Sequence, residues 1–258
     1  LEENSNDIEK SIEALRKKGL AKASKKSDRA ANEGAVGVYL NQNITALIKV
    51  NSETDFAAKS DTFLNFFDSL GKLVLENNSI LDINQFLSLN YETGTVQDYF
   101  NSMIAKIGEN LILNDLLIKE NKNSNYAFYI HNSYKDNIGK IISLLEYSSN
   151  EKNNEIEILT KNLCMHIAAM KPESLDIDDL DKNIIKKEEK IQKELILSSG
   201  KPSNIVDKIL EGKMKKFYSE VTLLNQSYIL DQDKTIRQVI EEYSKSNFKI
   251  NSFELVSL

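Results

Sequence analysis

Apolar residues along the chain fall into alternating stretches and helical stretches, and the changes between the two mark the elements. "AVGVYL" (35–40) and "ITALIKV" (44–50), separated by "NQN", have the length and alternation of paired strands and predict a hairpin. From Ala57 the period changes: Phe63, Phe66, Phe67, Leu70, Leu73 and Val74 recur at spacings of three and four, as on a helix with one buried face. After a loop around Tyr91–Thr95, "VQDYFNSMIAKIGENLILNDLLIKE" reads as helix to about Ile107, a break at Gly108, and then a strand. The pattern then repeats. "YAFYIH" and "IGKIISLLEY", joined by "NSYKDN", predict a second hairpin that places His131 at a strand end, and "NEIEILTKNLCMHIAAMKP" predicts a second buried helix. Short turns between strands imply antiparallel pairing, so each half is expected to be an α+β layer and the core to be duplicated.

The flanking segments differ. "NDIEKSIEALRKKG" reads as a short helix capped by Asp7, with Ile8, Ile12 and Leu15 on one face and Gly19 as its stop; the basic stretch that follows reads as a linker or solvated helix. Residues 176–220 are highly charged and interrupted by "SSGKPS". Gly200 is expected to end one helix and Pro202 to open the next, giving two antiparallel helices that project as an arm. Their seam is expected to set Ile184, Ile191 and Leu195 against Ile205, Ile209 and Phe217. "SYIL", a helix over "TIRQVIEEYSK" and a final strand "FKINSFELVSL" then complete the second half.

The organisation expected is therefore 1–33 as the remnant of a helical N-terminal module with a basic linker, 34–122 as an N-terminal core subdomain, and 123–258 as a C-terminal core subdomain interrupted by a helical hairpin at 176–220.

Composition narrows the function classes. A chain of 258 residues, 41% of them hydrophobic, can bury a sizeable core. The single cysteine, Cys164, excludes an internal disulfide and a paired-cysteine metal site, and fits a reducing compartment. No run approaches the roughly 20 apolar residues that span a bilayer, and no signal-peptide pattern precedes the first helix, so a cytoplasmic or organelle-matrix protein is expected. A net charge of −6 argues against general attraction to nucleic-acid backbones.

Candidate chemistry is sparse. Cys164 and His166, two apart on a helix, point in different directions and read as packing residues, not as a nucleophile and its base. "SGKPS" lacks the spacing of a phosphate loop and follows a charged helix instead of a strand. The acid pairs Asp178–Asp179 and Glu188–Glu189 read as solvated faces, and the lysines at 25–26 and 215–216 as surface charges. No catalytic residue, metal site, cofactor or small-molecule substrate is implied. One stretch is unusual: "NSETDFAAKSDTF" (51–63) places Phe56 beside Asp55 at a helix start that Thr54 can cap, although a phenylalanine ordinarily seeks a core.

"ETDFAAKSDTF", then "AKIGENL", "MHIAAMKPESL" and "SGKPSNIVDKILEGKMKKFYSEVTLLNQSYI", in this order, resemble the bacterial-type translation elongation factor Ts family. The resemblance covers essentially the whole chain. It implies an α+β fold with a duplicated core, a projecting antiparallel coiled-coil hairpin and a helical N-terminal module, here truncated because the two helices that normally precede 7–18 are lacking. The family usually has valine where Ala57 stands, and often Cys or Gln where Glu53 stands.

The activity implied is guanine-nucleotide exchange on elongation factor Tu, without covalent catalysis, membrane binding or direct nucleic-acid binding. By the same resemblance Thr54, Asp55, Phe56 and Ala57 meet the partner's nucleotide domain near its magnesium site, and Ile107, Gly108 and His131 form a second contact with a further domain. The residues alone leave another class open, a scaffold whose charged hairpin binds a protein or RNA; such a scaffold loses its partner when residues 180–218 are deleted, whereas an exchange factor retains much of its activity.

Overall fold

The computed structural model describes residues 7–77, 82–121, 124–199, 202–243, 245 and 247–258. It is an α+β protein whose chain divides into two compact units, one formed by Leu1–Asn123, Ile130–Ile142 and Val256–Leu258, the other by Ser124–Tyr129 and Ser143–Leu255.

In the first unit, helix α1 (Ile8–Ser24) leads to strands β1 (Glu33–Leu40) and β2 (Ile44–Ser52), the short helix α2 (Asp55–Ala58) and the long helix α3 (Asp61–Glu76). Helix α4 (Ile83–Ser88), a small hairpin of β3 (Asn90–Tyr91) and β4 (Gly94–Thr95), helix α5 (Val96–Ile107) and strand β5 (Leu111–Glu120) follow. The β1–β2 hairpin closes through Asn41, whose side-chain oxygen accepts from the amides of Asn43 (2.8 Å) and Ile44 (2.9 Å), a local bond that holds the turn. Strand β2 pairs antiparallel with β5 on its other side, with a register shift between Lys49 and Val50, and β1 pairs antiparallel with the start of β7 (Ile138–Ser148).

The predicted apolar face of α3 is buried against β1 and β2, with Phe63, Phe66 and Phe67 almost fully enclosed. Phe66 meets Phe100 of α5 edge to face at 4.8 Å, the geometry aromatic quadrupoles favour. Gly71 of α3 lies directly under the Tyr39 ring, where any added Cβ would collide. Helix α5 opens with a reciprocal box between Thr95 and Asp98 and closes at Gly108, whose φ of 88° is the left-handed value that ends helices.

Strand β7 pairs with β6 (Asn125–Lys135) and β10 (Lys249–Ser257), and the second unit contains residues 125–129 of β6, 143–148 of β7 and 249–255 of β10. Helix α6 (Asn154–Met170), the hairpin of α7 (Lys182–Ser198) and α8 (Ser203–Val221), a small ribbon of β8 (Ser227–Tyr228) and β9 (Asp231–Thr235), and helix α9 (Ile236–Glu241) complete it. Leu145, Leu159, Leu163, Ile167, Leu223 and Ile236 form its core. The base of the α7–α8 hairpin is stitched by backbone bonds from Glu173 N to Val221 O (2.8 Å) and from Leu223 N to Ser174 O (2.9 Å). No helix among the described residues is long and apolar enough to cross a membrane.

Several elements differ from the sequence-based expectation. Gly19 does not stop α1, which continues to Ser24 and packs along α5, so the helix has a partner. The two alanines, the leucine and the lysine of "LAKAS" are strong helix formers and outweigh one glycine. The side chains of Ile8, Ile12 and Leu15, and Gly200, lie outside the described residues.

Strand β6 runs on to Lys135 and turns at Asp136–Asn137, so His131 lies within the strand and not at its end; Asn132 takes a positive φ of 53° inside it. Helix α9 stops at Glu241, short of the expected span. In the hairpin, Ile196, Val206 and Met214 are buried, whereas Ile184, Ile191, Leu195 and Ile205 are exposed and Ile209 and Phe217 half-buried. The consecutive apolar residues Ile184–Ile185 and Leu195–Ile196–Leu197 fit two helix faces one residue apart, and burial selects the other one.

Candidate functional site

The turn at 52–58 is built by local polar bonds. Ser52 Oγ donates to Thr54 O (2.8 Å), and Thr54, in extended backbone, caps α2 by accepting from Ala57 N (3.2 Å). Asp55 in the first turn pairs with Lys59 one turn later at 2.7 Å, the favourable acid-before-base order on a helix. Lys59 holds the Asp55 carboxyl below its usual range, and the Lys59 ammonium also stands 5.7 Å from the centre of the Tyr134 ring.

A helix of only four residues cannot persist alone, and Ala57 and Ala58, at 7% and 0% exposure, anchor this one in the core. The same rotation that turns the alanines inward turns their neighbour outward. Phe56 is 84% exposed, more than any of the other exposed large apolar residues of the described chain.

Opposite this turn is the end of α5. Ile107 is half-buried against the first core, and Gly108 offers its carbonyl to Lys26 Nζ. The next residue connects the two turns: Glu109 accepts from Thr54 N (2.9 Å) with one carboxylate oxygen and from Thr54 Oγ1 (2.7 Å) with the other. In return Glu53 accepts from Asn110 N (2.7 Å) and pairs with Arg29 (3.5 Å). The structure thus joins Thr54–Ala57 to Ile107–Gly108, while His131 stands exposed on a different element, β6.

Glu109, Asn110 and Lys59 were not singled out in the sequence, and Glu53 only as a departure from the family motif. Only the Asp55–Lys59 spacing carried a local signal; residues 55 positions apart, as Thr54 and Glu109 are, leave none.

Elsewhere the chemistry is structural. Burial pushes the Cys164 thiol up to about 12, and Ser143 Oγ donates to the Cys164 carbonyl at 2.6 Å. His166, fully buried, accepts at Nδ1 from Ile229 N (3.2 Å), which places its proton on Nε2, directed at Gln226 Oε1 (2.9 Å). A groove of about 640 Å³ runs between α1, α5 and the β3–β4 turn; of its two carboxylates, Asp98 is committed to the helix cap and Glu92 sits on the turn.

Comparison with known proteins agrees with the resemblance. A sequence model of the family described as Elongation factor TS matches residues 53–258, which include the Phe56 turn. Among curated proteins, Elongation factor Ts of Ehrlichia ruminantium (strain Welgevonden) is 38% identical over 253 residues, covering 96% of this chain and 88% of its own. That of Wolbachia pipientis wMel is 36% identical over 259 residues, covering 100% and 90%, and that of Rhodospirillum centenum 38% identical over 248 residues, covering 95% and 80%. With four-fifths or more of each relative matched, the chain belongs to the elongation factor Ts family.

Proposed function

We propose that the chain binds elongation factor Tu, both GDP-bound and nucleotide-free, and promotes GDP release by inserting Phe56 near the magnesium and nucleotide site of that partner. The exposure of Phe56 on an anchored turn carries this reading: a large apolar side chain held in water by a rigid mount contributes nothing to its own core and is available for another protein's interior. Asp55 and Thr54 hold the turn, and Ile107, Gly108 and His131 provide a second contact with a further domain of the partner.

Exchange needs no nucleophile, because the nucleotide leaves unchanged. A factor that binds the nucleotide-free partner more tightly than the GDP-bound one must, by linkage, weaken GDP binding by the same ratio. Displacing the partner's magnesium surroundings would remove charge neutralisation from the phosphates. GTP then rebinds and releases the factor.

The test is direct. Elongation factor Tu loaded with fluorescent GDP is mixed with excess unlabelled GDP in a stopped-flow instrument, with and without this chain. Acceleration that saturates with chain concentration is expected; a release rate independent of the chain would overturn the reading.

A further inference from the structure

The cap of α2 is controlled from outside its own segment. The Thr54 hydroxyl has one hydrogen, and it goes to Glu109 Oε1 at 2.7 Å, so the oxygen lone pairs turn toward Ala57 N, which donates to them at 3.2 Å. The second Glu109 oxygen takes the Thr54 amide at 2.9 Å. One carboxylate therefore fixes both the backbone and the hydroxyl rotor of the residue that starts the Phe56 turn, with charge-assisted bonds that are shorter and stronger than neutral ones.

The opposite side is tied in the same way: Glu53 accepts from Asn110 N at 2.7 Å, and the buried Asn110 side chain donates to the carbonyls of Ser27 (3.3 Å) and Arg29 (2.9 Å). Two adjacent carboxylate contacts running in opposite directions leave the turns at 53–54 and 109–110 no freedom to slide past each other.

We propose that Glu109 is a positioning residue for Phe56, and that the Glu109–Thr54 clasp makes the Phe56 turn and the Ile107–Gly108 turn one rigid contact element. This rests on the exchange reading given above. The clasp sets where the Phe56 ring stands relative to the second contact, so that engagement at one turn delivers the ring at the other.

Glu109→Ala in the full chain is expected to slow GDP release at saturating factor by roughly 10- to 100-fold, the effect of a misplaced contact group. Phe56→Ala with Glu109→Ala is expected to be no slower than Phe56→Ala alone, because Glu109 acts through Phe56. Hydrogen exchange of the Ala57 and Ala58 amides, both bonded to Thr54, should quicken in Glu109→Ala while the β1–β2 amides stay protected. Should that variant not fold, Glu109→Gln, which keeps one acceptor oxygen, should show a smaller loss with the same non-additivity.

An unchanged release rate, losses that multiply in the double variant, or unchanged Ala57 protection would overturn the positioning role while wild-type exchange stands. A wild-type chain without effect on GDP release would overturn the exchange reading, and the positioning role with it.

Discussion

Replacing Phe56 by alanine separates the fold from the proposed activity. At 84% exposure the ring makes few contacts with its own chain, so the free protein should keep its stability within about 0.5 kcal/mol, as is usual for a surface substitution. Nearly the whole side chain is available to be buried by a partner, and full burial of a phenylalanine is worth roughly 1.5–3 kcal/mol. If that energy is gained on the path to GDP release, its loss corresponds to a rate reduction of roughly 10- to 150-fold. Stopped-flow release of fluorescent GDP from elongation factor Tu measures the effect, and a thermal melt of the same variant verifies the fold. Phe56→Leu, which restores apolar volume without the ring, should fall between alanine and wild type. A folded Phe56→Ala variant that releases GDP at the wild-type rate would refute the reasoning. A variant with a lowered melting temperature would show that the ring supports its own core.

The remaining predictions concern stability and reactivity. Gly71→Ala should destabilise the first unit by about 1–3 kcal/mol in urea titration, because the new methyl collides with the Tyr39 ring, whose hydroxyl is held by Asp68 at 3.1 Å. Cys164 should resist iodoacetamide in the native chain at pH 8 and react once unfolded, since burial raises the thiol to about 12 and leaves little thiolate. Burial lowers the folded-state pKa of His166 below its ordinary 6.5, so the unfolded chain takes up a proton that the folded one refuses. That contribution to stability is complete above about pH 6.5 and falls on acidification by up to roughly 1.4 kcal/mol per pH unit until the folded pKa is reached. Thermal melts from pH 7.5 to 5 should show the decline, and a folded His166→Gln variant should lack that component.

What was legible in the sequence follows the range of the interactions involved. The β1–β2 hairpin, the α3 face and the end of α5 at Gly108 are written in local periods and in one glycine with positive φ, and each appears where expected. The phase of α7 was not legible, because adjacent apolar residues satisfy two faces and only packing against α8 chooses between them. The continuation of α1 past Gly19 is a case in which tertiary packing and neighbouring helix formers override a single weak residue. At the candidate site, Thr54 and Asp55 carried a cap signal and Phe56 stood out as an apolar residue without an evident face. Glu109 carried none, since its meaning depends on a strand pair bringing β2 and β5 together.

The first unit is assembled from three separated stretches of chain, the last of them Val256–Leu258. Lys49 Nζ donates to the Ser257 carbonyl (2.7 Å) and Leu258 N to the Lys140 carbonyl (3.2 Å), so these late residues satisfy groups made far earlier. During synthesis the ribosome reaches them on the order of ten seconds after Ile142. In that interval the nascent unit lacks the bonds from Lys49 to Ser257 and from Leu258 to Lys140. The timing of translation is thereby built into how this unit is finished.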